Sequence, residues 1–323
     1  MHSIDHAKST CLHYIHIILI IQLLFIANII FMNYSSPMNK VTLPRKQQFR
    51  LLELLLAWEG SVQRKKIANA FGIAINHVTN VIREYERLHP ANLKYDHRKK
   101  RYSMGDKFKA RYCEGTSQEY LGMLKGQLYG MKETSLSVDI LSQCAALPEP
   151  EQNVKPNILR ALVTAILSEK QISMRYQSLK EGEPSSRAIS PHSLVCAGHR
   201  WHARAFDHTK DEYRDFVLHR ILSIEAFHGQ KTEVPLDEDW LNEIALTIIP
   251  NPNASDGQQS VIASEYGMIK KAGEWKWTVS LKRCLVPYFV KHMRLDEDGK
   301  SVSENPLVLK NKTKAEPYLF RSR

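Results

Sequence analysis

The sequence lacks the short motifs that mark many common catalytic sites. It has no P-loop, no HExxH pair, no G-x-S-x-G elbow and no dinucleotide fingerprint. The cysteines are far apart and form no CxxC pair: Cys11, Cys113, Cys144, Cys196 and Cys284. A zinc ribbon or a disulfide framework is therefore not expected, and isolated reduced thiols of a cytosolic protein are the favoured interpretation. We predict a protein that is not an enzyme and uses no metal or cofactor.

Negative charge is scarce in one segment of the chain. Residues 40–111 hold 17 lysines and arginines against 6 aspartates and glutamates, whereas the two signs balance in the rest of the sequence. The whole formal net charge of +11 therefore lies in this segment. A basic field concentrated in one domain is typical of polyanion binding, because a charge that serves only solubility would be spread more evenly.

Charge of either sign is missing near the amino terminus. Residues 11–34 are uncharged and rich in isoleucine and leucine, so by length they could span a bilayer. His13, His16 and Asn28 weaken that interpretation, and no cleavable signal pattern is present. We favour a dispensable or start-site extension over residues 1–39, with Met38 as the functional first residue. A membrane anchor through residues 11–34 is the alternative.

The basic segment, residues 40–111, contains the pattern of a helix-turn-helix. Periodic apolar residues predict helices over 45–58, 63–71 and 74–88, with Gly72 at the turn. Val78, Ile82 and Tyr85 would face inward from the third helix, although Ala74 is a poor N-cap. The outward side chains suit base edges in the major groove: Asn76, His77, Thr79, Asn80 and Arg83.

A basic hairpin follows the third helix. Residues 93–96 and 101–104 read as two strands around a basic tip, which is the wing of a winged helix. The predicted phosphate-contacting residues flank the helix-turn-helix and fill this tip: Arg64, Lys65, Arg98, Lys99, Lys100 and Arg101. The alternative is a helical protein-interaction module with a solvated basic loop.

A second hairpin organises the middle of the chain. Aromatic and branched residues at 200–206 and 213–218 are separated by a polar connection, which predicts two antiparallel strands within 172–224. Because strand side chains alternate, arginines would recur on an otherwise apolar face, as in a small barrel with an anion-binding concavity. The alternative is a solvated face whose arginines pair with Asp207, Asp211, Glu212 or Asp215.

The residues of this region resemble the WYL domain, a ligand-sensing module of bacterial transcriptional regulators with an Sm-like or SH3-like β-barrel. The similarity spans residues 158–227 and is carried by Tyr176, Arg187, Pro191, Leu194, Gly198, Trp201, Arg214, Phe216, Leu218, Arg220 and Ile221. The eponymous Trp-Tyr-Leu is replaced by Trp201-His202-Ala203, a variant similar to WYL repressors that lie beside phage-defence operons.

The resemblance implies where a ligand would bind. The expected ligand-binding residues are Tyr176, Ser178, His192, Trp201, Arg204, Arg214 and Arg220. Arg214 and Arg220 occupy family positions, whereas Ser178 and Arg204 are placed only by proximity and face. A satisfied barrel histidine is the alternative for His192. The acidic run 237–239 reads as a solvated loop.

The remaining segments complete an α+β chain. We predict a helical connector over residues 112–155 that opens on a Thr116–Glu119 capping box, and a WYL-like domain over 156–230. A small α+β domain over 240–310 resembles the C-terminal extension that pairs subunits in WYL regulators, and 310–323 reads as a frayed basic tail.

These patterns and the resemblance together predict a ligand-responsive transcriptional regulator. The expected protein is a cytoplasmic, nucleoid-associated homodimer that represses a phage-defence locus by binding an inverted-repeat operator in double-stranded DNA. An anionic nucleotide or oligonucleotide in the WYL-like domain would release it. The alternatives are a membrane-tethered sensor and a non-specific nucleic-acid-binding accessory factor or activator.

Overall fold

The computed structural model describes residues 41–130, 139–150, 153–231, 233–297 and 301–320. The chain divides into two compact units, Met1–Leu147 and Pro148–Arg323. Within the part of the chain that is described, no helix is both long and apolar enough to cross a membrane. The uncharged stretch at 11–34 lies outside the described residues.

The first unit contains a winged helix. Its helices are α1 (Leu43–Glu59), α2 (Arg64–Phe71) and α3 (Ile75–Leu88), and its sheet has the order β1-β3-β2. The strands are β1 (Ser61–Val62), β2 (Leu93–Asp96) and β3 (Arg101–Met104), all antiparallel. The predicted helix-turn-helix and wing are therefore confirmed, with helix ends displaced by one or two residues.

The turn between α2 and α3 depends on Gly72. Its φ of +59° lies in the left-handed region that glycine enters without steric cost. The following amide, of Ile73, donates to the carbonyl of Ala68 and so closes α2. Ala74 occupies the N-cap of α3 without a side-chain hydrogen bond, as the sequence indicates. Packing of the buried α3 face therefore has to hold this helix start.

A buried carboxylate joins α1 to the chain beyond the wing. Glu53 is fully buried and accepts a 2.6 Å hydrogen bond from the Tyr85 hydroxyl. It also accepts the backbone amides of Arg111, Tyr112 and Cys113. Hydrogen bonds to each oxygen make this buried charge tolerable. The sequence pattern of α1 did not predict this polar centre.

The helical connector differs in detail from the prediction. Helix α4 (Ser117–Leu128) begins where expected, and the Thr116 side chain accepts the Glu119 amide. The return half of the capping box is absent, because the Glu119 carboxylate accepts from Glu114, Gly115 and Arg50 instead. A short 3₁₀ helix (Asp139–Gln143) lies later in the same connector, and residues 131–138 lie outside the described part.

The second unit begins with helix α5 and an antiparallel sheet. Helix α5 (Pro156–Leu167) precedes β4 (Lys170–Tyr176), β5 (Ser185–Ala197), β6 (Arg200–Asp207), β7 (Glu212–Val217) and β8 (Ile221–Lys231). The strand order is β7-β6-β5-β4-β8, with a 3₁₀ turn (Leu218–Arg220) before β8. The hairpin of β6 and β7 is confirmed. No pairing joins the outer strands β7 and β8 among the described residues, so the barrel stays a prediction.

The same unit ends in a smaller α+β domain. Its sheet has the order β10-β11-β9-β12, from strands β9 (Glu243–Pro250), β10 (Ile269–Lys271), β11 (Glu274–Lys282) and β12 (Leu307–Leu309). Its helices are α6 (Glu238–Leu241), α7 (Asp256–Glu265), α8 (Val286–His292) and α9 (Lys312–Ala315), with 3₁₀ turns at Arg283–Leu285 and Glu316–Tyr318. Ser255 and Gln258 form a complete capping box on α7.

The predicted frayed tail is wrong over the residues that the structure describes. Helix α9 packs into the core of this domain, where Ala315 is fully buried. Asn311, just before the helix, accepts the Thr247 amide and donates to the Ala245 carbonyl, so the segment is fixed to β9. Basic composition hid this contact, because the buried alanine stands among lysines that are exposed or half-buried.

Candidate nucleic-acid interface and ligand cavity

The outward face of α3 presents a compact polar surface. Asn76, His77, Asn80 and Arg83 are exposed, whereas Val78, Val81, Ile82 and Tyr85 are fully buried on the opposite face. Thr79 is half-buried and donates to the Ile75 carbonyl, while its oxygen accepts from Arg64 at 3.1 Å. The structure thus places the predicted base-reading residues on one surface, and Arg64 adjoins them.

The wing tip is held open by one carboxylate. Asp96 accepts the backbone amides of Arg98 and Lys99, each at 2.9 Å, and these hydrogen bonds hold the pKa of Asp96 below its usual range. Lys100 has a positive φ of 49°, which closes the turn. Arg98, Lys99 and Lys100 remain exposed, whereas Arg101 is half-buried and donates to Ser61. The tip therefore projects three cations into solvent.

The second unit contains a cavity of about 520 Å³ beside the β6–β7 hairpin. Its walls come from β4, β5, β7 and the loop after β4, together with two residues of the C-terminal domain. The lining residues are Tyr176, Ser178, Leu179, Lys180, Glu181, Arg187, Arg214, Asp215, Phe216, Arg220, Lys291 and Phe320. The volume is within the range of small-molecule sites, roughly 300–1,000 Å³.

The charges of this cavity are unequal. Five cationic side chains line it, and two carboxylates, Glu181 and Asp215, oppose them. Arg187 donates to Glu181 at 2.5 Å. Asp215 accepts from Arg204 and from the Tyr288 hydroxyl, so its charge is already engaged outside the cavity. The side chains that line the cavity therefore carry a net positive charge.

Three of the cations have no acidic partner. Arg220 is half-buried, Lys180 and Lys291 are exposed, and no carboxylate of the described residues lies within ion-pair distance of any of them. Arg214 is paired loosely, with 3.5 Å contacts to Asp207 and Glu212. The alternative of arginines paired with hairpin acids therefore describes Arg214 and Arg204 in part, and it does not describe Arg220.

The predicted ligand set is divided between this cavity and other places. Tyr176, Ser178, Arg214 and Arg220 line the cavity together. Trp201 is 41% exposed and is not among the lining residues. Lys180, Lys291 and Phe320 were absent from the prediction, and Arg187 entered it only as a family position. No local pattern could have found Lys291 or Phe320, because both come from the C-terminal domain.

Arg204 is buried and bound to acids. Its guanidinium donates to both oxygens of Asp237, at 2.7 and 2.9 Å, and to Asp215 at 3.3 Å. The interpretation of residues 237–239 as a solvated loop is wrong for Asp237, which is 7% exposed and also accepts the Trp240 amide at the start of α6. Arg204 therefore joins the hairpin to the connection between the two sheets.

His192 belongs to that arrangement. Its Nε2 lies 3.0 Å from Asp237 Oδ2, and its Nδ1 lies 2.9 Å from the Ser193 hydroxyl. Burial acts to raise the pKa of Asp237, but the hydrogen bonds from His192 and Arg204 hold it well below the usual range. His192 lines a separate apolar cavity of about 270 Å³ with Tyr213 and Trp240. The structure thus matches the satisfied-histidine alternative more closely.

The residues that the structure describes contain no group of three or more His, Cys, Asp or Glu that could hold a metal ion.

Comparison with known families matches the chain in three successive segments. The BrxR transcriptional regulator winged helix-turn-helix domain matches residues 45–126, and the WYL domain matches residues 157–226. The BrxR transcriptional regulator C-terminal dimerization domain matches residues 243–315. The three matches follow the order of the winged helix, the five-stranded sheet and the C-terminal sheet.

Curated relatives share most of this length. The chain is 27% identical over 264 residues to a DNA-binding transcriptional repressor CapW of Stenotrophomonas maltophilia, covering 81% of this chain and 87% of the relative. It is 28% identical to a CapW of Pseudomonas aeruginosa, over 79% of this chain and 84% of the relative.

One solved structure is similar at a much lower level. Proteasome accessory factor B/C of Arthrobacter aurescens matches with a TM-score of 0.24 and 16% identity. The match covers 88% of this chain and 51% of that one, and a score this low supports no conclusion about function.

Proposed function

The chain belongs to the WYL-domain transcriptional regulators, and on that premise we propose that it is a DNA-binding repressor released by an anionic ligand. The relatives named as DNA-binding repressors support the first half of this proposal. The unpaired cations of the 520 Å³ cavity support the second half. The protein would work in the cytoplasm, bound to its own operator.

The winged helix reads the operator in this proposal. The exposed amides of Asn76 and Asn80 can donate to and accept from base edges, and Arg83 can bind guanine through two hydrogen bonds. Arg64, Lys65 and the wing-tip cations contact phosphates and supply affinity without sequence preference. A homodimer built on the C-terminal domain presents two such surfaces to an inverted repeat.

The observation that carries the ligand half is Arg220. A half-buried arginine that lines a cavity without an acidic partner in the described residues leaves guanidinium donors free for an anion from solution. Guanidinium groups bind phosphate oxygens through two parallel hydrogen bonds, and Arg187 and Arg214 line the same space. A phosphate-bearing nucleotide or short oligonucleotide is therefore the ligand class that fits. The largely buried rings of Tyr176 and Phe216 form an apolar part of the same wall.

Ligand binding would lift repression by changing the dimer geometry. The similarity of Trp201-His202-Ala203 to repressors beside phage-defence operons favours such an operon as the target. A nucleotide or nucleic-acid fragment produced during infection would then be the inducing signal.

Operator reading is tested by fluorescence anisotropy with duplex DNA from upstream of the gene. The chain from Met38 to Arg323 should bind tightly, survive scrambled competitor, and lose affinity steeply with salt. Equal loss to scrambled duplex would contradict operator reading and favour a non-specific accessory factor instead.

Ligand binding is tested at Arg220, with a 5′-phosphorylated single-stranded oligonucleotide as the probe. Arg220→Met should weaken probe binding at least about tenfold, as loss of one charge-assisted contact predicts, and should leave operator affinity nearly unchanged. Arg175→Met is the matched control, because Arg175 is exposed on β4 and lies outside the cavity. Equal effects of the two substitutions on probe binding would contradict the assignment of this cavity as the ligand site.

A further inference from the structure

The ligand cavity is not built by the WYL domain alone. Its lining includes Lys291 at the end of α8 and Phe320 beyond α9, and both belong to the C-terminal half of the second unit. Lys291 brings a charge with no carboxylate partner among the described residues. An anion held by Arg220 on one wall would therefore meet a second cation that belongs to a different domain.

Helix α8 is also fixed to the cavity wall by a hydrogen bond. The Tyr288 hydroxyl donates to Asp215 Oδ2 at 2.9 Å, and Asp215 itself lines the cavity. The Tyr288 ring packs edge-on against Phe320, with ring centroids 5.1 Å apart, and lies 5.2 Å from the His202 ring. Lys291 and Phe320 thus bring the C-terminal domain to the cavity, and Tyr288 contacts both Phe320 and the lining residue Asp215.

Asp215 also links Tyr288, through Arg204, to Asp237 in the segment between the two domains. Its other oxygen accepts from Arg204 at 3.3 Å, and Arg204 holds Asp237 at the start of α6. An anion held by Arg220 would attract Lys291 and so add a second link between α8 and the wall, beside the hydrogen bond from Tyr288 to Asp215. Arg204, 3.3 Å from Asp215, offsets part of the repulsion between that carboxylate and an anion.

We propose that the C-terminal domain takes part directly in binding the anion, with Lys291 as a specificity-determining residue. Residues of the WYL domain and of the C-terminal domain both contact the ligand, and ligand binding changes the stability of α8. The inference rests on the proposed ligand function. It adds a route by which a bound phosphate affects the domain that matches the dimerisation family. By linkage, the factor by which the bound anion shifts the equilibrium of α8 equals the factor by which that shift changes anion affinity.

The first test measures probe binding to Lys291→Met, with the same 5′-phosphorylated oligonucleotide and the full chain. We expect affinity to fall about tenfold, equivalent to about 1.4 kcal/mol, and Lys291→Arg to restore most of it. Lys314→Met is the matched control, because Lys314 is an exposed lysine of α9 in the same domain and outside the cavity. Equal affinity of Lys291→Met and Lys314→Met would overturn the proposal.

The second test follows amide hydrogen exchange in α8 with and without the probe. In the unmodified chain, added probe should slow exchange in this helix, and in Lys291→Met that protection should disappear even at saturating probe. If the probe left exchange in the unmodified chain unchanged, ligand binding would not affect α8 and this proposal would be wrong.

The outcomes separate the two proposals. Loss of probe binding in Arg220→Met with no effect of Lys291→Met leaves the ligand function standing and removes the role of the C-terminal domain. An unmodified chain that does not bind the probe removes the ligand function itself.

Discussion

Asp237 shows how one buried carboxylate can organise a region of this protein. It accepts hydrogen bonds from Arg204 on β6, His192 on β5 and the Trp240 amide, and so holds two strands and a helix start together. Removing one member of a buried ion pair leaves the other charge without compensation, which costs more than the intact pair contributes. The role of Asp237 can therefore be measured by a change that keeps its shape.

We expect Asp237→Asn to lower the free energy of unfolding of the second unit by about 3 kcal/mol, because Arg204 then keeps only Asp215. Urea unfolding followed by circular dichroism measures this. Asp239→Asn is the control, since it makes the same chemical change two residues further on, at a half-exposed position in α6. A loss of stability as large in the control would show that the buried pair is not the cause.

The same substitution should change the pH dependence. The folded pKa of Asp237 is depressed, so its contribution to stability is fully present above about pH 5 and declines as pH falls through the unfolded and then the folded pKa. Stability measured from pH 6 to pH 3 should fall less steeply in Asp237→Asn.

At the scale of elements, α3 and the wing are expected to make separable contributions to DNA binding. Asn80 on α3 offers an amide for base edges, whereas Arg98 and Lys99 at the wing tip offer charge for phosphates. Sequence preference and salt dependence should therefore respond to different substitutions.

Asn80→Ala should weaken operator binding by about 1–3 kcal/mol and leave scrambled-duplex binding nearly unchanged. Replacing Arg98 and Lys99 with alanine should weaken both duplexes equally and reduce the salt slope by about 0.9 per lost phosphate contact. Anisotropy titrations at several salt concentrations measure both effects. If the Arg98 and Lys99 changes altered sequence preference, the wing would be reading bases, contrary to this assignment.

The elements of the winged helix and the β6–β7 hairpin could be predicted because their information is local. Apolar spacing in α3, Gly72 at the turn and the aromatic and branched runs on both sides of a polar connection depend on residues a few positions apart. The wing followed from two short strands around a basic tip.

Other features depended on contacts between distant parts of the sequence. Arg204 and Asp237 are 33 residues apart, and a polar run after Pro235 gave no sign that one of its acids is buried. Ala315 looked like part of a solvated tail, because its lysine neighbours hid the core that it enters. Closure of the barrel could not be predicted from local patterns either, because it depends on whether the outer strands β7 and β8 pair with each other.

For the whole molecule, the two compact units contain separate cores. The winged helix and α4 share one cluster of buried side chains, and the second unit contains one cluster under the WYL sheet and another under the C-terminal sheet. Each unit therefore has its own buried polar centre, Glu53 in the first and Asp237 in the second.

We expect two unfolding transitions that respond to different substitutions. Glu53→Gln should lower the midpoint of the first unit only, because it weakens the hydrogen bonds from Tyr85 and three backbone amides, and Asp237→Asn should lower the other. Differential scanning calorimetry measures both, with the exposed change Glu114→Gln as control. A single transition that shifts with either substitution would show one cooperative unit.

The ion pair between Arg204 and Asp237 also constrains how the sequence can evolve. Losing either partner alone buries an uncompensated charge, whereas replacing both with apolar side chains of similar volume is often neutral. Positions 204 and 237 should therefore co-vary among descendants of one ancestor, with single replacements rare and paired replacements tolerated. A change from the ion pair to an apolar pair by single substitutions passes through a destabilised variant. A lineage should therefore keep one kind of pair for long periods.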